Sequence, residues 1–388
     1  MTSPRAESLT GTNSAIPPEN SKRILIVFGT RPEAIKLSPL ISALKRQAGL
    51  QPVVCVTAQH REMLDQVLAA FQIKPDYDLD LMRPSQTLPE LGARLLSGLA
   101  GVFSEVKPAL AVVQGDTATT LYGALAAFYA GAPVAHVEAG LRTFDMQAPF
   151  PEEMNRVLTG RLTTLHFAAT DWAAENLLRE GVPAGSIEVT GNTGIDAVLS
   201  VSASLEKGLV RGSPLSANGK RLVVVTAHRR ESFGEGFKRI CAGIARVADR
   251  EDVQIVWPVH PNPNVQNTVR ATFQGRRNVL LIEPLSYVPF VDLMRQAFLL
   301  ITDSGGVQEE GPSLGKPILV LREKTERPEA VKAGTVKLVG TDSDSIAREA
   351  NRLLDDPAEY GRMARLHNPY GDGRASERIA RRIAIHLA

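Results

Sequence analysis

Four acids and one histidine sit where proton transfer could use them. Asp116 follows the apolar run "AVVQG", and Glu138 follows "PVAHV". Glu152, with Glu153 beside it, opens a helix after "FDMQAPFP", and His228 closes "LVVVTA". Positioned carboxylates and imidazoles exchange protons with a reacting centre. Each also has a plainer reading. Asp116, before Thr117, Thr119 and Thr120, could cap a helix. Glu152 and Glu153 could be first-turn charges that favour a helix start. A lone strand-end histidine is commonly structural, but His228 is flanked by Arg229, Arg230 and Glu231. His136 and His166 lie inside strand patterns and read as core, whereas His60 and His260 sit at strand tips.

Cations gather at the same places. Arg31, Lys36, Arg229, Arg230 and Arg327 lie at or just beyond strand ends, where arginine suits bidentate contact with phosphate. In "TDSGGVQEE" a strand ends, Ser304, Gly305 and Gly306 turn, and a helix begins. Free amides and the helix dipole favour an anion there. Glu310, about two helical turns on, could reach a ribose diol. The same residues also fit an ordinary serine cap with a glycine turn. "GPSLGKP" has three residues between its glycines and Pro317 in place of Ser or Thr, so it is not a P-loop. The first turn, "GTRPE", holds the single glycine Gly29 and lacks the dinucleotide fingerprint. Cys55 and Cys241 have no metal-ligand spacing and read as buried thiols. We therefore expect no nicotinamide and no metal.

These residues need elements to hold them. Apolar runs alternate with amphipathic helix patterns along the chain. The first array has Ile24–Phe28, Val53–Val56, Leu110–Val113, Val134–Val137, Leu165–Ala168 and Ile187–Thr190. The second has Leu222–Val225, Val253–Trp257, Val279–Ile282, Leu299–Thr302, Ile318–Leu321 and Val336–Val339. Continuous apolar strands predict parallel sheets covered on both faces, hence an α/β fold of two Rossmann-like domains facing a cleft. We expect a polar, flexible tail over 1–22, a first domain over 23–200 carrying the acids, and a second over 201–372. A terminal helix over 373–388 would pack back on the first domain. Ligands of such sheets bind beyond the carboxyl ends of the strands. Seven tips end in polar clusters, among them "GTRPE", "QGDT", "HVEAGLR" and "TDSGGVQEE". Lys and Arg number 44 against 42 acids, so no basic excess points to nucleic acid. No apolar run reaches a membrane span, and the tail lacks an apolar signal core, so a cytoplasmic enzyme is expected.

The motifs are also familiar as a set. "FGTRPEAIK", "TAQHREMLDQVL", "QGDTATT", "HVEAGLRT", "PFPEEMNR", "TAHRRESFG", "PVHPNPNV", "TDSGGVQEE", "TERPEAV" and "NPYGDGRASERI" closely resemble the non-hydrolysing UDP-N-acetylglucosamine 2-epimerases. The likeness covers roughly residues 23 to 388. It implies the B-type glycosyltransferase fold, interconversion of UDP-GlcNAc and UDP-ManNAc, a homodimer, and a place in bacterial surface-polysaccharide synthesis. It implies that Arg31 and Lys36 lie near the diphosphate and that Ser304, Gly305 and Gly306 hold phosphate. Glu310 would hold the ribose, Phe290 would lie beside uracil, and Arg327 would be a further contact. Asp116, Glu138, Glu152 and His228 match the catalytic positions. Gln59, His60, Gln86, Arg229 and His260 match a second, activating UDP-GlcNAc site present in some members. Departures are "APFPEE", where many members have Tyr or Trp before the Pro, and Leu285, where some have Gln. A glycosyltransferase of the same fold, a hydrolysing epimerase and a nucleotide-sugar sensor remain the competing readings.

Overall fold

The structure, a computed structural model, describes residues 21–57, 61–83, 85–215, 219–325, 327–365 and 367–388, with the backbone alone at 61–63 and 230. Gln59 and His60 lie outside the described residues. Among the described residues, thirteen strands build two sheets. The first comprises β1 (Lys22–Phe28), β2 (Leu50–Val56), β3 (Tyr77–Asp78), β4 (Leu110–Gln114), β5 (Val134–Ala139), β6 (Leu165–Ala168) and β7 (Ile187–Val189). The second comprises β8 (Arg221–Thr226), β9 (Val253–Pro258), β10 (Val279–Ile282), β11 (Leu299–Thr302), β12 (Ile318–Val320) and β13 (Val336–Leu338). Their orders are β3-β2-β1-β4-β5-β6-β7 and β10-β9-β8-β11-β12-β13. Every pairing is parallel. Ile24 to Phe28 and Leu110 to Val113 are fully buried, as strands with helices on both faces must be.

The strands follow the expected runs, with one addition. Tyr77–Asp78 forms a two-residue edge strand through Cys55 and Val56, too short to leave an apolar period. The helix Thr193–Glu206 runs across the expected domain boundary at residue 200. The helix Arg31–Lys45 begins at Arg31 because Thr30 caps it with Glu33 as the reciprocal partner.

A continuous apolar core joins the two halves. It runs from Ile24 and Phe28 through Leu37 and Ile195 to Val291, Leu222 and Val320. The last helix, Ala375–Leu387, packs against Arg31–Lys45 and Thr193–Glu206. Its Ile379, Ala380 and Ile383 are fully buried. Asp196 accepts the amides of Ala375 (3.2 Å) and Ser376 (2.7 Å), so a carboxylate from the first half caps the returning helix. Both cysteines are free and buried. No helix among the described residues is long and apolar enough to cross a membrane.

Candidate active site

The carboxyl ends of the strands converge on a cavity of about 480 Å³. The first half contributes Thr30, Glu33, Lys36, Gln114, Asp116 and Glu138, and the second contributes Glu309, Arg327 and Glu329.

The "GTRPE" turn is closed around its own acid. Buried Glu33 accepts the amides of Gly29 (3.0 Å) and Thr30 (2.7 Å) and the Thr117 hydroxyl (2.8 Å). Burial raises the Glu33 pKa, and these donors pull against it. A Cβ on Gly29 would stand 2.2 Å from Thr57 Oγ1 and 2.6 Å from Thr119 Oγ1, so no side chain fits there. The turn's amides are thus spent internally. Two cations stand beside the turn: half-buried Arg31 at the helix start, outside the cavity lining, and Lys36 on the cavity wall.

Glu138 owes its direction to a bulge. Val137 pairs with Phe167 and Ala139 with Ala168, which leaves Glu138 as the extra residue, at φ 63°. Bulges re-aim side chains next to active sites, and a non-glycine residue at positive φ is held there by its surroundings. The carboxylate meets Lys36 Nζ at 2.6 Å and also accepts from Gln114 Nε2. Burial pushes Glu138 towards its neutral form, while Lys36 favours the carboxylate. Burial likewise works against the Lys36 charge, but Glu138 and Glu309 outweigh it and raise the lysine pKa.

Asp116 sits on the β4 tip, paired with Arg156 at 2.5 Å. Its carbonyl accepts from Asn155 (2.9 Å), and the Gly115 carbonyl lies 2.7 Å from His136 Nε2. Burial drives the His136 pKa down to about 3, so the ring is neutral and can donate there. His136 and His166 are both buried, as expected of strand histidines. Glu153, fully buried, accepts the amides of Thr143 (3.0 Å) and Phe144 (2.9 Å) and so fixes the loop after β5. Glu152 opens the same helix, half-buried, and is not among the residues lining the cavity.

In the second half, Asp303 accepts the amides of His228 (2.6 Å) and Arg229 (2.7 Å). Its other oxygen lies 3.3 Å from His228 Nδ1. The His228 ring stacks on His260 with centroids 5.2 Å apart. Ser304 caps the short helix Gly305–Glu310 without a side-chain bond, which leaves its hydroxyl uncommitted to the cap. Arg327 lies directly against Gly305, where an added Cβ would stand 2.4 Å from the guanidinium carbon. Arg327 Nε donates to Glu309 at 2.7 Å. Burial raises the Glu309 pKa, but Arg327 and Lys36 together hold it below the ordinary carboxylate range. Glu310 is pushed up to about 8 by burial and by the charge of Glu309. Phe290 is half-buried on Tyr287–Gln296 against the core. Gln86 lies in the segment before the helix Leu88–Val106, in the first half.

Asp116, Glu138, Lys36 and Arg327 therefore share one cavity, with His228, Ser304 to Gly306, Glu310, Phe290 and Arg31 outside its lining. Sequence reasoning missed Glu33, Gln114, Arg156, Asn192 and Glu309. Two acidic pairs divide their surroundings, because adjacent helical residues point about 100° apart. Glu309 lines the cavity beside Glu310, and Glu153 is buried under the loop after β5 beside half-buried Glu152.

The chain matches the family model described as UDP-N-acetylglucosamine 2-epimerase over residues 42–384. It is 55% identical over 364 residues to the UDP-N-acetylglucosamine 2-epimerase of Escherichia coli K12, covering 92% of this chain and 97% of that one. It is 49% identical over 368 residues to that of Campylobacter jejuni, covering 92% and 96%. Among solved structures, the Neisseria meningitidis UDP-GlcNAc 2-epimerase bound to UDP-GlcNAc superposes with a TM-score of 0.85 at 46% identity, over 94% of this chain and 100% of that one. The Methanocaldococcus jannaschii enzyme in complex with UDP-GlcNAc and UDP gives 0.76 at 34% identity, over 94% and 99%. With the matched residues spanning both sheets and the cavity between them, this chain belongs to the UDP-N-acetylglucosamine 2-epimerase family.

Proposed function

We propose that this chain interconverts UDP-GlcNAc and UDP-ManNAc at C2, without hydrolysis, by eliminating UDP and adding it back. The observation that carries the reading is the pairing, within one cavity, of first-half carboxylates Glu138 and Asp116 with the cations Lys36 and Arg327. The C2 proton is not α to a carbonyl and is weakly acidic. Departure of UDP makes C1 electron-poor and C2 more acidic. A base takes the proton, the C–H electrons form the C1=C2 bond, and the C1–O electrons leave with UDP. The product pair is 2-acetamidoglucal and UDP. Protonation of C2 on the opposite face, with return of the UDP oxygen to C1, completes the inversion. Lys36 and Arg327 answer the need to stabilise a departing diphosphate. Arg31, Ser304, Gly305 and Gly306 extend that assignment around the strand tips, with Glu310 on the ribose and Phe290 beside the base. Glu138, Asp116 and Glu152 form the acid–base pool. Glu138 suits both directions of transfer, because its burial favours the acid and Lys36 favours the base. His228, held by Asp303, supports the leaving phosphate from the second half. The product would serve bacterial surface-polysaccharide synthesis in the cytoplasm. Arg229, His260 and Gln86 are assigned to an activating second UDP-GlcNAc.

The test is an NMR time course with UDP-GlcNAc and no other additive. UDP-ManNAc should accumulate to a constant ratio. Free ManNAc would identify a hydrolysing enzyme, and an unchanged substrate would point to a sensor or a transferase awaiting its acceptor.

A further inference from the structure

Glu309 touches both halves of the molecule. It lies on the helix Gly305–Glu310 of the second half and is almost fully buried. Its Oε1 accepts from Arg327 Nε at 2.7 Å, within the second half. Its Oε2 accepts from Asn192 Nδ2 at 3.1 Å and lies 3.7 Å from Lys36 Nζ, both from the first half. Every one of these neighbours is a donor. The position therefore demands an acceptor-only group, and a buried carboxylate flanked by two cations satisfies it.

The surroundings remove the alternatives to this geometry. Asn192 cannot turn its amide, because Oδ1 is already committed to the Gly194 amide at 2.8 Å as a helix cap. Arg327 lies flush on Gly305, a site that no larger residue could share. Lys36 bonds Glu138 at 2.6 Å and lies 3.7 Å from Glu309, so its charge is shared between two carboxylates.

We propose that Glu309 is a positioning residue that presents Lys36 and Arg327, one from each half, to the substrate diphosphate. The inference rests on the diphosphate reading given above and deepens it. The Glu309 charge opposes an incoming phosphate. However, it orders two long cationic side chains beforehand, and ordering such side chains is a cost that binding otherwise bears. Without it, Lys36 falls back on Glu138 and Arg327 loses its carboxylate anchor.

The experiment compares UDP with uridine on the full-length protein, by calorimetry for UDP and ligand-observed NMR for uridine. Glu309→Gln keeps the shape, but its amide N–H must face either Arg327 Nε or Asn192 Nδ2. It should lose roughly tenfold or more in UDP affinity, with uridine affinity essentially unchanged. Glu309→Asp keeps the charge and should retain more of the preference for UDP over uridine than Glu309→Gln does. Equal losses for UDP and uridine would overturn the proposal in favour of a purely structural role. Unchanged or tighter UDP binding would overturn it by showing that the carboxylate competes with the diphosphate. An aspartate variant no better than the glutamine variant would also overturn it. A wild-type protein that binds uridine as tightly as UDP would overturn the diphosphate reading itself, and this inference with it.

Discussion

The two sheets run in the same order from one edge to their centre, and the strand order reverses between β1 and β4 in one and between β8 and β11 in the other. In both, a buried carboxylate takes two consecutive amides of the turn after the central strand. In the first half Glu33 takes Gly29 and Thr30, and in the second Asp303 takes His228 and Arg229. The difference lies in where the carboxylate comes from. Glu33 belongs to the helix that follows the turn, so the turn closes on its own carboxylate. Asp303 comes from the tip of the neighbouring strand β11, so the turn after β8 stays open, and the His228 side chain is 42% exposed. The first half thereby offers buried acids of perturbed basicity, and the second offers accessible donors and a helix start. On the function proposed above, the first wall would carry proton transfer and the second would hold the anion, with Lys36 reaching in from the first.

Substitutions on each wall should separate these roles, and the largest effect belongs to the first. Glu138→Gln removes the proton-transfer group while keeping its shape. Turnover should fall by roughly 10² to 10⁴-fold while UDP affinity by calorimetry changes little. A parallel loss of UDP binding would blur the division between the walls. On the second wall, Arg327→Ala should weaken UDP binding by about tenfold or more, since it removes a charge-assisted contact. Ser304→Ala, which removes one neutral hydroxyl, should cost only a few-fold. Equal effects of the two would argue against the charge as the dominant contact.

A smaller effect should appear in stability. Burial and the charge of Glu309 push the Glu310 carboxyl up to about 8 in the fold, from an ordinary 4.5. Between those values the folded chain binds the proton more tightly than the unfolded chain, so this group's contribution to stability declines as pH rises through that window. Glu310→Gln mimics the neutral acid. Its melting temperature should match the wild type near pH 4.5 and exceed it by a few degrees at pH 9. A constant difference across that range would mean that Glu310 does not titrate as described. The last expectation concerns regulation through the proposed second site. Sigmoidal forward kinetics and a reverse reaction that needs added UDP-GlcNAc are expected, and strictly hyperbolic kinetics would remove Arg229, His260 and Gln86 from that role.

Much of this was legible beforehand for a physical reason. Strands buried on both faces leave continuous apolar runs, so all the longer strands could be read, and the polar residues closing them marked the cleft. What stayed hidden depends on tertiary detail. The edge strand Tyr77–Asp78 is too short to carry a period. Glu33 fills the turn at Gly29, and nothing in "GTRPE" alone says that its glutamate folds back. The bulge at Glu138 leaves no mark in the sequence, although it decides where that carboxylate points. Glu309 was overshadowed by Glu310, since adjacent acids on one short helix cannot be told apart without its rotation. Asn192 and Gln114 carry no charge and drew no attention, but they hold the two carboxylates that do.

The central claim is that the C2 proton leaves the sugar during turnover. Epimerisation carried out in D2O and followed by NMR tests it without any mutant. The account predicts that UDP-ManNAc formed in D2O carries deuterium at C2, and that UDP-GlcNAc recovered at equilibrium carries it too. UDP-ManNAc formed with its original C2 proton fully retained would contradict elimination and re-addition.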